Sequence, residues 1–279
     1  MSAPVTMTEQ GAEAAIFAAA RALHLPTVRT EAARLADEAA RARLTHRGYL
    51  AEVLACEVDE RESRRRERRV QEARFPRMKR LEEFDLRAAP SVDPATFAAL
   101  SSLAWLKEGH PVVLLGDSGT GKSHLLIALG VAACEAGHRV RYVTCAGLVN
   151  ELAEAADERV LSRVLARYGR VELLCVDELG YVGLDPRGAE LLFQVLTERE
   201  ERSSVATASN SPFSEWGRTF ADPRLAAAVV DRLTFHAHIV ETGTESYRLR
   251  STRTNRSTRT KDRAQRQGTT TATDQEDQP

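Results

Sequence analysis

The sequence lacks the features that mark secreted, disulfide-linked and membrane-spanning proteins. Its 279 residues include only four cysteines, and no two of them form a C-x-x-C pair, so we expect buried free thiols in a reducing compartment. The longest apolar run, from Leu125 to Cys134, is too short to cross a bilayer. The first residues also lack the basic-then-apolar order of a signal peptide. These absences predict a cytoplasmic protein with no membrane partner.

Charge is distributed very unevenly along the chain. The formal net charge is −1, but residues 61–80 hold ten Lys and Arg against three Glu, and residues 250–266 hold seven Lys and Arg against one Asp. The rest of the chain is therefore acidic. Two basic segments attached to an acidic globule favour a polyanionic partner over a metabolite alone.

A phosphate-binding loop follows a short apolar run, Val112 to Leu115. The loop fits G-x-x-x-x-G-K-[ST], and its candidate nucleotide-binding residues are Gly116, Asp117, Ser118, Gly119, Thr120, Gly121, Lys122, Ser123 and His124. Glycines let backbone N–H groups approach the phosphates at a helix N-terminus. Lys122 adds a charge at the β- and γ-phosphates, and Ser123 offers a hydroxyl to Mg²⁺. The alternative is an ordinary glycine-rich turn between a strand and a helix.

Acidic and amide side chains follow two later predicted strands. Asp177 and Glu178 come directly after the predicted strand Val171 to Val176, whose last four residues are apolar. This is the pattern of a metal-binding aspartate and a glutamate that activates water. Asn210 follows the strand Ser204 to Ala208 and is placed to orient that water or contact the γ-phosphate. The alternatives are a helix-entry turn for the acidic pair and a turn residue for Asn210.

Strands and helices alternate through the middle of the chain, which predicts an α/β fold with a parallel sheet in three layers. The predicted strands are Val112 to Leu115, Arg139 to Thr144, Val171 to Val176, Ser204 to Ala208 and Phe235 to Glu241. The predicted helices are Phe97 to Lys107, His124 to Glu135, Ala146 to Ala155, Glu158 to Ala166, Arg187 to Glu200 and Pro223 to Leu233. His236 and His238 are interpreted as strand residues, not metal ligands.

The N-terminal region is predicted to be helical. One helix is expected from an N-cap at Thr30 and a second from about Thr45 to Phe75, while the order of the residues before Leu25 is left open. The second helix carries the candidate DNA-binding residues Arg61, Arg64, Arg65, Arg66, Arg68 and Arg69. The alternative for these arginines is a solvated surface with Glu–Arg pairs at i,i+4. The predicted domains are 1–80 (all-α, DNA-binding), 81–250 (ATPase) and 251–279 (a disordered Ser/Thr/Arg/Gln-rich tail).

From about Leu25 to Arg250, the order of motifs resembles the IstB-like helper ATPases of insertion sequences. These are relatives of DnaC-type helicase loaders and DnaA within the AAA+ superfamily. The resemblance is carried by the segments Leu25-Pro-Thr27, Phe75 to Asp85, Gly119 to Leu125, Val176 to Tyr181, Gly188 to Gln194, Ser209 to Gly217, Asp231-Arg-Leu233 and Glu245 to Leu249.

The resemblance implies an AAA+ ATPase that uses ATP and Mg²⁺, assembles on duplex DNA, and recruits or stimulates the transposase of the same element. It also implies a homo-oligomer with ATP-bridged interfaces, Asn210 as the sensor-1 residue and Arg232 as an arginine finger acting in a neighbouring subunit. The chain departs from the family in its alanine-rich strand Ala206 to Ala208 and its long tail. It shows no lid domain, which leaves Arg248 as only a candidate sensor-2 residue.

Three other functions are compatible with parts of the sequence. A helicase loader would share the ATPase chemistry but act on a helicase. A nucleotide-gated DNA-binding adaptor would hold ATP without needing turnover, although Glu178 argues against it. A small-molecule kinase would explain neither basic segment.

Overall fold

The computed structural model describes residues 8–181, 183–220, 222–244 and 246. The predicted tail from residue 251 and the candidate Arg248 lie outside these residues. The chain divides into two compact units, residues 1–68 and 69–279. This division falls within a long helix, whereas the boundary that the sequence predicts at residue 80 follows that helix. Within the described ranges, no helix is both long and apolar enough to cross a membrane.

The first unit is built from helices α1 (Glu9–Ala22) and α2 (Pro26–Arg41) and most of α3 (His46–Ala73). Thr8 caps α1 through a hydrogen bond from the Gly11 N–H, so the segment before Leu25 is helical. The prediction for Thr30 was wrong. Pro26 opens α2, and Thr30 lies inside it with its hydroxyl donating to the carbonyls of Pro26 and Thr27. A proline at the first helical position needs no N–H partner, which explains the earlier start.

Glu57 of α3 caps the N-terminus of α2. Its side chain is buried, and Oε2 accepts the backbone N–H groups of Thr27 at 2.8 Å and Val28 at 3.1 Å. Its other oxygen pairs with Arg61 Nε at 2.7 Å, and Arg61 also donates to the carbonyl of His24. Burial alone would raise the pKa of Glu57, but Arg61 and the two N–H groups hold that pKa below its ordinary value. This ion pair therefore fixes the packing of α3 on α2.

The second unit contains a five-stranded parallel sheet with the order β2-β3-β4-β1-β5. The strands are β1 (Val112–Leu115), β2 (Val140–Thr144), β3 (Leu173–Leu179), β4 (Ser204–Ser209) and β5 (His238–Glu241). Alternate residues of β1 face opposite cores, with Val112 and Leu114 on one side and Val113 and Leu115 on the other. Both faces of the sheet are covered, as parallel sheets require.

Helices form a layer on each face of this sheet. On one face lie α4 (Pro94–Ser101), α5 (Ala104–Glu108) and α6 (Lys122–Glu135), and on the other lie α7 (Cys145–Asp157), α8 (Leu161–Gly169), α9 (Pro186–Arg199), α10 (Trp216–Phe220) and α11 (Pro223–Thr234). This arrangement confirms the predicted three-layered α/β fold. Cys134, Cys145 and Cys175 are buried free thiols as expected, but Cys56 is only partly buried.

Two predicted elements differ from the structure because single residues adopt left-handed backbone conformations. The expected helix Phe97 to Lys107 is split into α4 and α5 by Leu103, whose φ is 58°. The expected last strand begins at His238, not at Phe235, because His236 has a φ of 53° and cannot continue an extended strand. His238 is therefore a strand residue as predicted, and His236 is not.

Replacing Glu57 with Gln should destabilise the first unit by about 1.5–3 kcal/mol, because charge-assisted bonds to buried donors are lost. The lowered pKa means that the carboxylate stabilises the fold above its ordinary pKa of about 4.3 and ceases to do so as the pH falls through its lower value in the folded state. The difference between the two proteins should therefore shrink in acid. Urea unfolding, with hydrogen exchange at the Thr27 and Val28 amides, measures both effects.

Glu60→Gln is the matched control for this prediction. Glu60 also pairs with an arginine four residues on, Arg64, but both side chains are about half exposed, so its loss should cost no more than about 0.5 kcal/mol. Equal unfolding curves for the two variants would contradict the capping role of Glu57.

Candidate nucleotide-binding site

The loop after β1 has the backbone geometry of a phosphate cradle. Gly116, Gly119 and Gly121 have φ values of 145°, 85° and 103°, all in the region that favours glycine. A Cβ at Gly116 would lie 2.6 Å from Thr242 Oγ1 and 2.7 Å from the Gly243 carbonyl. Side chains are therefore excluded by close packing as well as by conformation. The loop then leads directly into the N-terminus of α6, where backbone N–H groups favour an anion.

The segment after β5 packs against this loop and holds it with hydrogen bonds. The Asp117 N–H donates to the Gly243 carbonyl at 3.0 Å, and the hydroxyls of Thr120 and Thr242 lie 2.6 Å apart. The hydroxyl of Thr242 also lies 3.1 Å from the Leu115 carbonyl. Thr242 and Gly243 cannot be assigned to the site from the sequence pattern, because only the pairing of β5 with β1 brings them to the loop.

Lys122 and Ser123 open α6 at the end of the loop. Lys122 is buried, and its ammonium group donates to the Asp117 carbonyl at 2.7 Å. The hydroxyl of Ser123 donates to Asp177 Oδ1 at 3.1 Å. The predicted lysine, serine and aspartate are therefore brought together, although Asp177 follows Ser123 by more than fifty residues of chain.

Asp177 and Glu178 lie within β3, which extends further than predicted. Asp177 is buried, and its two oxygens accept hydrogen bonds from Ser123, from the Glu178 N–H and from Tyr142. Glu178 has a φ of 61° at an irregularity in the pairing of β3 with β4. This bulge turns the Glu178 side chain out to the exposed side of the sheet edge.

Asn210 follows β4 in a turn that a buried tryptophan holds. The indole N–H of Trp216 lies 3.1 Å from the Ser211 carbonyl and 3.3 Å from Ser209 Oγ. The hydroxyl of Ser209 also accepts the Ser211 N–H at 3.1 Å. These bonds on either side of Asn210 fix the turn, and Asn210 itself lines the same cavity as the phosphate loop.

A single cavity of about 390 Å³ unites these residues, a volume within the usual range for small-molecule sites. Of the predicted site residues, it is lined by Ser118, Gly119, Thr120, Gly121, Lys122, Ser123, His124, Asp177, Glu178 and Asn210. Gly116 and Asp117 lie in the loop itself. The arginines of α3 and Arg232 do not line this cavity.

One wall of the cavity comes from the segment between α3 and α4. The ring of Phe84 stacks on Phe97 with centroids 5.6 Å apart and meets the His124 ring edge-on at 5.5 Å. Arg77, Lys79 and the residues around Asp85 also line this wall. Burial lowers the pKa of His124, which favours the neutral ring. The sequence pattern does not predict this wall, since the irregular backbone of the segment gives no periodic signal.

Arg232 lies at the opposite end of the strands from the phosphate loop. Its Nε is 3.1 Å from Glu200 Oε2, and its guanidinium lies 4.3 Å from the centre of the Phe193 ring. It lines a second cavity with His110 and His236, which precede β1 and β5. The phosphate loop follows β1, so the length of a four-residue strand, about 13 Å, separates the two ends. Arg232 therefore does not contact the nucleotide cavity of its own chain.

Comparison with known proteins identifies the family of the chain. Residues 18–255 match the family model described as IstB-like ATP binding protein. An insertion sequence IS21 ATP-binding protein of Pseudomonas aeruginosa is 38% identical over 78% of this chain and 83% of the relative. Insertion-sequence ATP-binding proteins of Sinorhizobium fredii and Geobacillus stearothermophilus are 39% and 34% identical, over 82% and 83% of this chain and 77% and 92% of the relatives.

Among solved structures, DnaI and AMPPCP-bound DnaA from Aquifex aeolicus each align with 58% of this chain, at TM-scores of 0.49. The aligned regions cover 90% and 49% of those chains, at 19% and 21% identity. The parallel sheet with a phosphate loop after β1 has the P-loop α/β architecture that the sequence predicts. By the match to its family model and by the identity to these relatives, the chain belongs to the family of IstB-like ATP binding proteins of insertion sequences.

Proposed function

We propose that this protein is an ATP-hydrolysing, DNA-binding helper of an insertion sequence. It assembles on duplex DNA through interfaces bridged by ATP, and it recruits or stimulates the transposase encoded by the same element. The observation that carries the ATPase activity is the convergence of Lys122, Ser123, Asp177, Glu178 and Asn210 on one cavity. The insertion-sequence relatives support the biological setting, and a cytoplasmic location stays a prediction.

The residues at the loop fit a magnesium triphosphate. Ser123 Oγ and Asp177 Oδ1 lie 3.1 Å apart and offer two hard oxygen donors, which suits Mg²⁺ because that ion takes few protein ligands and keeps waters and phosphate oxygens. Bound Mg²⁺ would neutralise charge on the β- and γ-phosphates. The loop amides and Lys122 bind and orient the phosphates, and the wall at Phe84 shields the site from water.

Glu178 and Asn210 are positioned for hydrolysis. The bulge in β3 directs the exposed Glu178 carboxylate toward the cavity that Lys122 and Ser123 line. There it accepts a proton from the attacking water. The Asn210 amide orients the same water or contacts the γ-phosphate.

Glu178→Gln should lower the rate of ATP hydrolysis by about 10²–10⁴-fold, because the general base is lost, while ATP affinity is retained. Phosphate release and binding of a fluorescent ATP analogue measure the two properties separately. Glu190→Gln, an exposed glutamate on α9, is the control and should match the wild type. Full hydrolysis by the Glu178 variant would instead support an adaptor that binds ATP without needing turnover.

The position of Arg232 supports a head-to-tail assembly. Because Arg232 and the phosphate loop lie at opposite edges of one sheet, the arginine can serve only the nucleotide of a neighbouring chain. Two different surfaces then meet at each interface, which is the heterologous contact that builds rings or helical filaments. The ion pair with Glu200 and the stacking on Phe193 hold the guanidinium in place until a neighbour binds.

Arg232→Ala should lower hydrolysis by about 10³-fold, and so should Lys122→Ala, which cannot hold the phosphates. Mixing the two inactive proteins should restore part of the activity, since a loop from the first and an arginine from the second complete one site. Arg202→Ala is the control, because Arg202 is an exposed arginine two residues after Glu200, the ion-pair partner of Arg232. Mixtures that co-assemble but stay inactive would contradict the role in a neighbouring subunit.

The arginines of α3 form a surface suited to phosphates of duplex DNA. At about 100° per residue, all of the predicted DNA-binding arginines except Arg66 fall within an arc of about 140°. Arg64 and Arg66 pair with glutamates four residues earlier, and Arg61 is held by Glu57. Arg65 and Arg69 have no carboxylate partner among the described residues. Arg65 is exposed and its charge is the most available to phosphates, whereas Arg69 is half-buried beside Gly137.

Arg65→Gln combined with Arg69→Gln should weaken duplex binding and reduce its salt dependence. Each lost phosphate contact lowers the slope of log K against log salt by about 0.9, so a decrease of about 1–2 is expected. Fluorescence anisotropy with labelled duplexes across a salt series measures the slope. Arg34→Gln is the control, because Arg34 already pairs with Glu31 and Glu38, and a slope unchanged in the double variant would reject this surface.

A further inference from the structure

The roles of the phosphate loop and the acidic pair leave one buried residue beside Asp177, Tyr142, without a function. Tyr142 lies in β2, the edge strand next to β3, and its side chain is almost fully enclosed. Its hydroxyl donates to Asp177 Oδ2 at 2.7 Å. In the pairing of β2 with β3, Thr144 lies opposite Asp177. Tyr142 comes two residues before Thr144, and its side chain extends along the strand to Asp177.

Each oxygen of the Asp177 carboxylate has its own donors. Oδ1 accepts from the Ser123 hydroxyl at 3.1 Å and the Glu178 N–H at 2.9 Å, whereas Oδ2 accepts from Tyr142. A carboxylate whose two oxygens both accept hydrogen bonds is more restrained from rotating about its Cβ–Cγ bond than one that is held at a single oxygen. Without Tyr142, the described contacts of Asp177 would hold only Oδ1.

We propose that Tyr142 is a positioning residue for the ATPase, which holds the Asp177 carboxylate so that Oδ1 faces Ser123 and the site for Mg²⁺. The inference rests on the proposed function. Partners of metal ligands fix ligand orientation, and their loss commonly weakens metal affinity 10–100-fold. Tyr142 acts through Asp177 and does not itself contact the nucleotide.

The chemistry of the phenol suits this role. Its hydroxyl donates to Oδ2, whereas Ser123 donates to Oδ1. The phenol therefore orients the carboxylate through the oxygen that Ser123 does not contact.

The ring of Tyr142 is held by the segment that follows α3. The Phe75 ring lies 6.0 Å from the Tyr142 ring, at an angle of 57°. Phe75 also packs against α6, where a Cβ at Gly130 would lie 2.7 Å from its ring. Tyr142 is thus fixed at both ends, by Phe75 at the ring and by Asp177 at the hydroxyl.

Tyr142→Phe removes only the hydroxyl and tests this role. In the full-length variant, the Mg²⁺ concentration for half-maximal binding of a fluorescent ATP analogue should rise about 10-fold or more. Binding in EDTA and the thermal midpoint should stay unchanged. Tyr168→Phe is the matched control, because Tyr168 is also buried and donates to a carboxylate, Glu151, which unlike Asp177 does not line the nucleotide cavity. It should leave the Mg²⁺ dependence as in the wild type.

Four outcomes would count against these claims. An unchanged Mg²⁺ dependence in Tyr142→Phe would overturn the role of Tyr142. Equal shifts in the two tyrosine variants, or weaker binding in EDTA as well, would assign Tyr142 a general structural role and also overturn it. A wild-type protein without Mg²⁺-dependent binding would overturn the proposed function itself.

Discussion

The functional site depends on one constraint, the parallel pairing of β1 between β4 and β5, with β3 beyond β4. Parallel strands end at the same edge of a sheet, so the phosphate loop, the acidic pair and Asn210 meet there although they are far apart in sequence. The same pairing brings Thr242 beneath the loop. A loop of three glycines would otherwise lose much conformational entropy on ordering. The bonds from Thr242 and Gly243 offset this cost by fixing the cradle before nucleotide binds.

The polarity of the sheet also separates two groups of residues. The phosphate loop, Asp177 and Glu178 lie where the strands end, and Arg232 lies with His110 and His236 where the strands begin. Because the five described strands are all parallel, one chain does not bring both groups to one nucleotide. Under the proposed function, a complete site would therefore require a second chain, and hydrolysis would depend on assembly. In that assembly, the arginine-bearing α3 would not need to contact ATP in order to influence turnover, since DNA that gathers subunits would also complete their sites.

The sequence predicted the parts of the site that local chemistry determines. Lys122 and Ser123 follow a buried strand and open a helix, and Asp177 follows the apolar residues of another strand, so spacing and periodicity were sufficient to place them. It could not predict Thr242, Phe84 or Tyr142, whose roles depend on strand order and on packing between distant segments. The capping of α2 by Glu57 was missed for the same reason, as its i,i+4 pair with Arg61 suggested only a surface contact. Hydrophobic periodicity also cannot predict which residues, such as Leu103 and His236, adopt a left-handed backbone conformation.

Under the proposed function, the backbone at Glu178 separates hydrolysis from simple binding. A non-glycine residue in the left-handed region costs about 1–2 kcal/mol, and β3 is irregularly paired with β4 at this point. Metal binding would need only Asp177, which a regular strand would deliver equally well. The distortion begins one residue later, where Glu178 is exposed and lines the cavity of the phosphate loop. Strain of this kind persists at functional sites, and the role proposed for Glu178, to accept a proton from the attacking water, would account for it here.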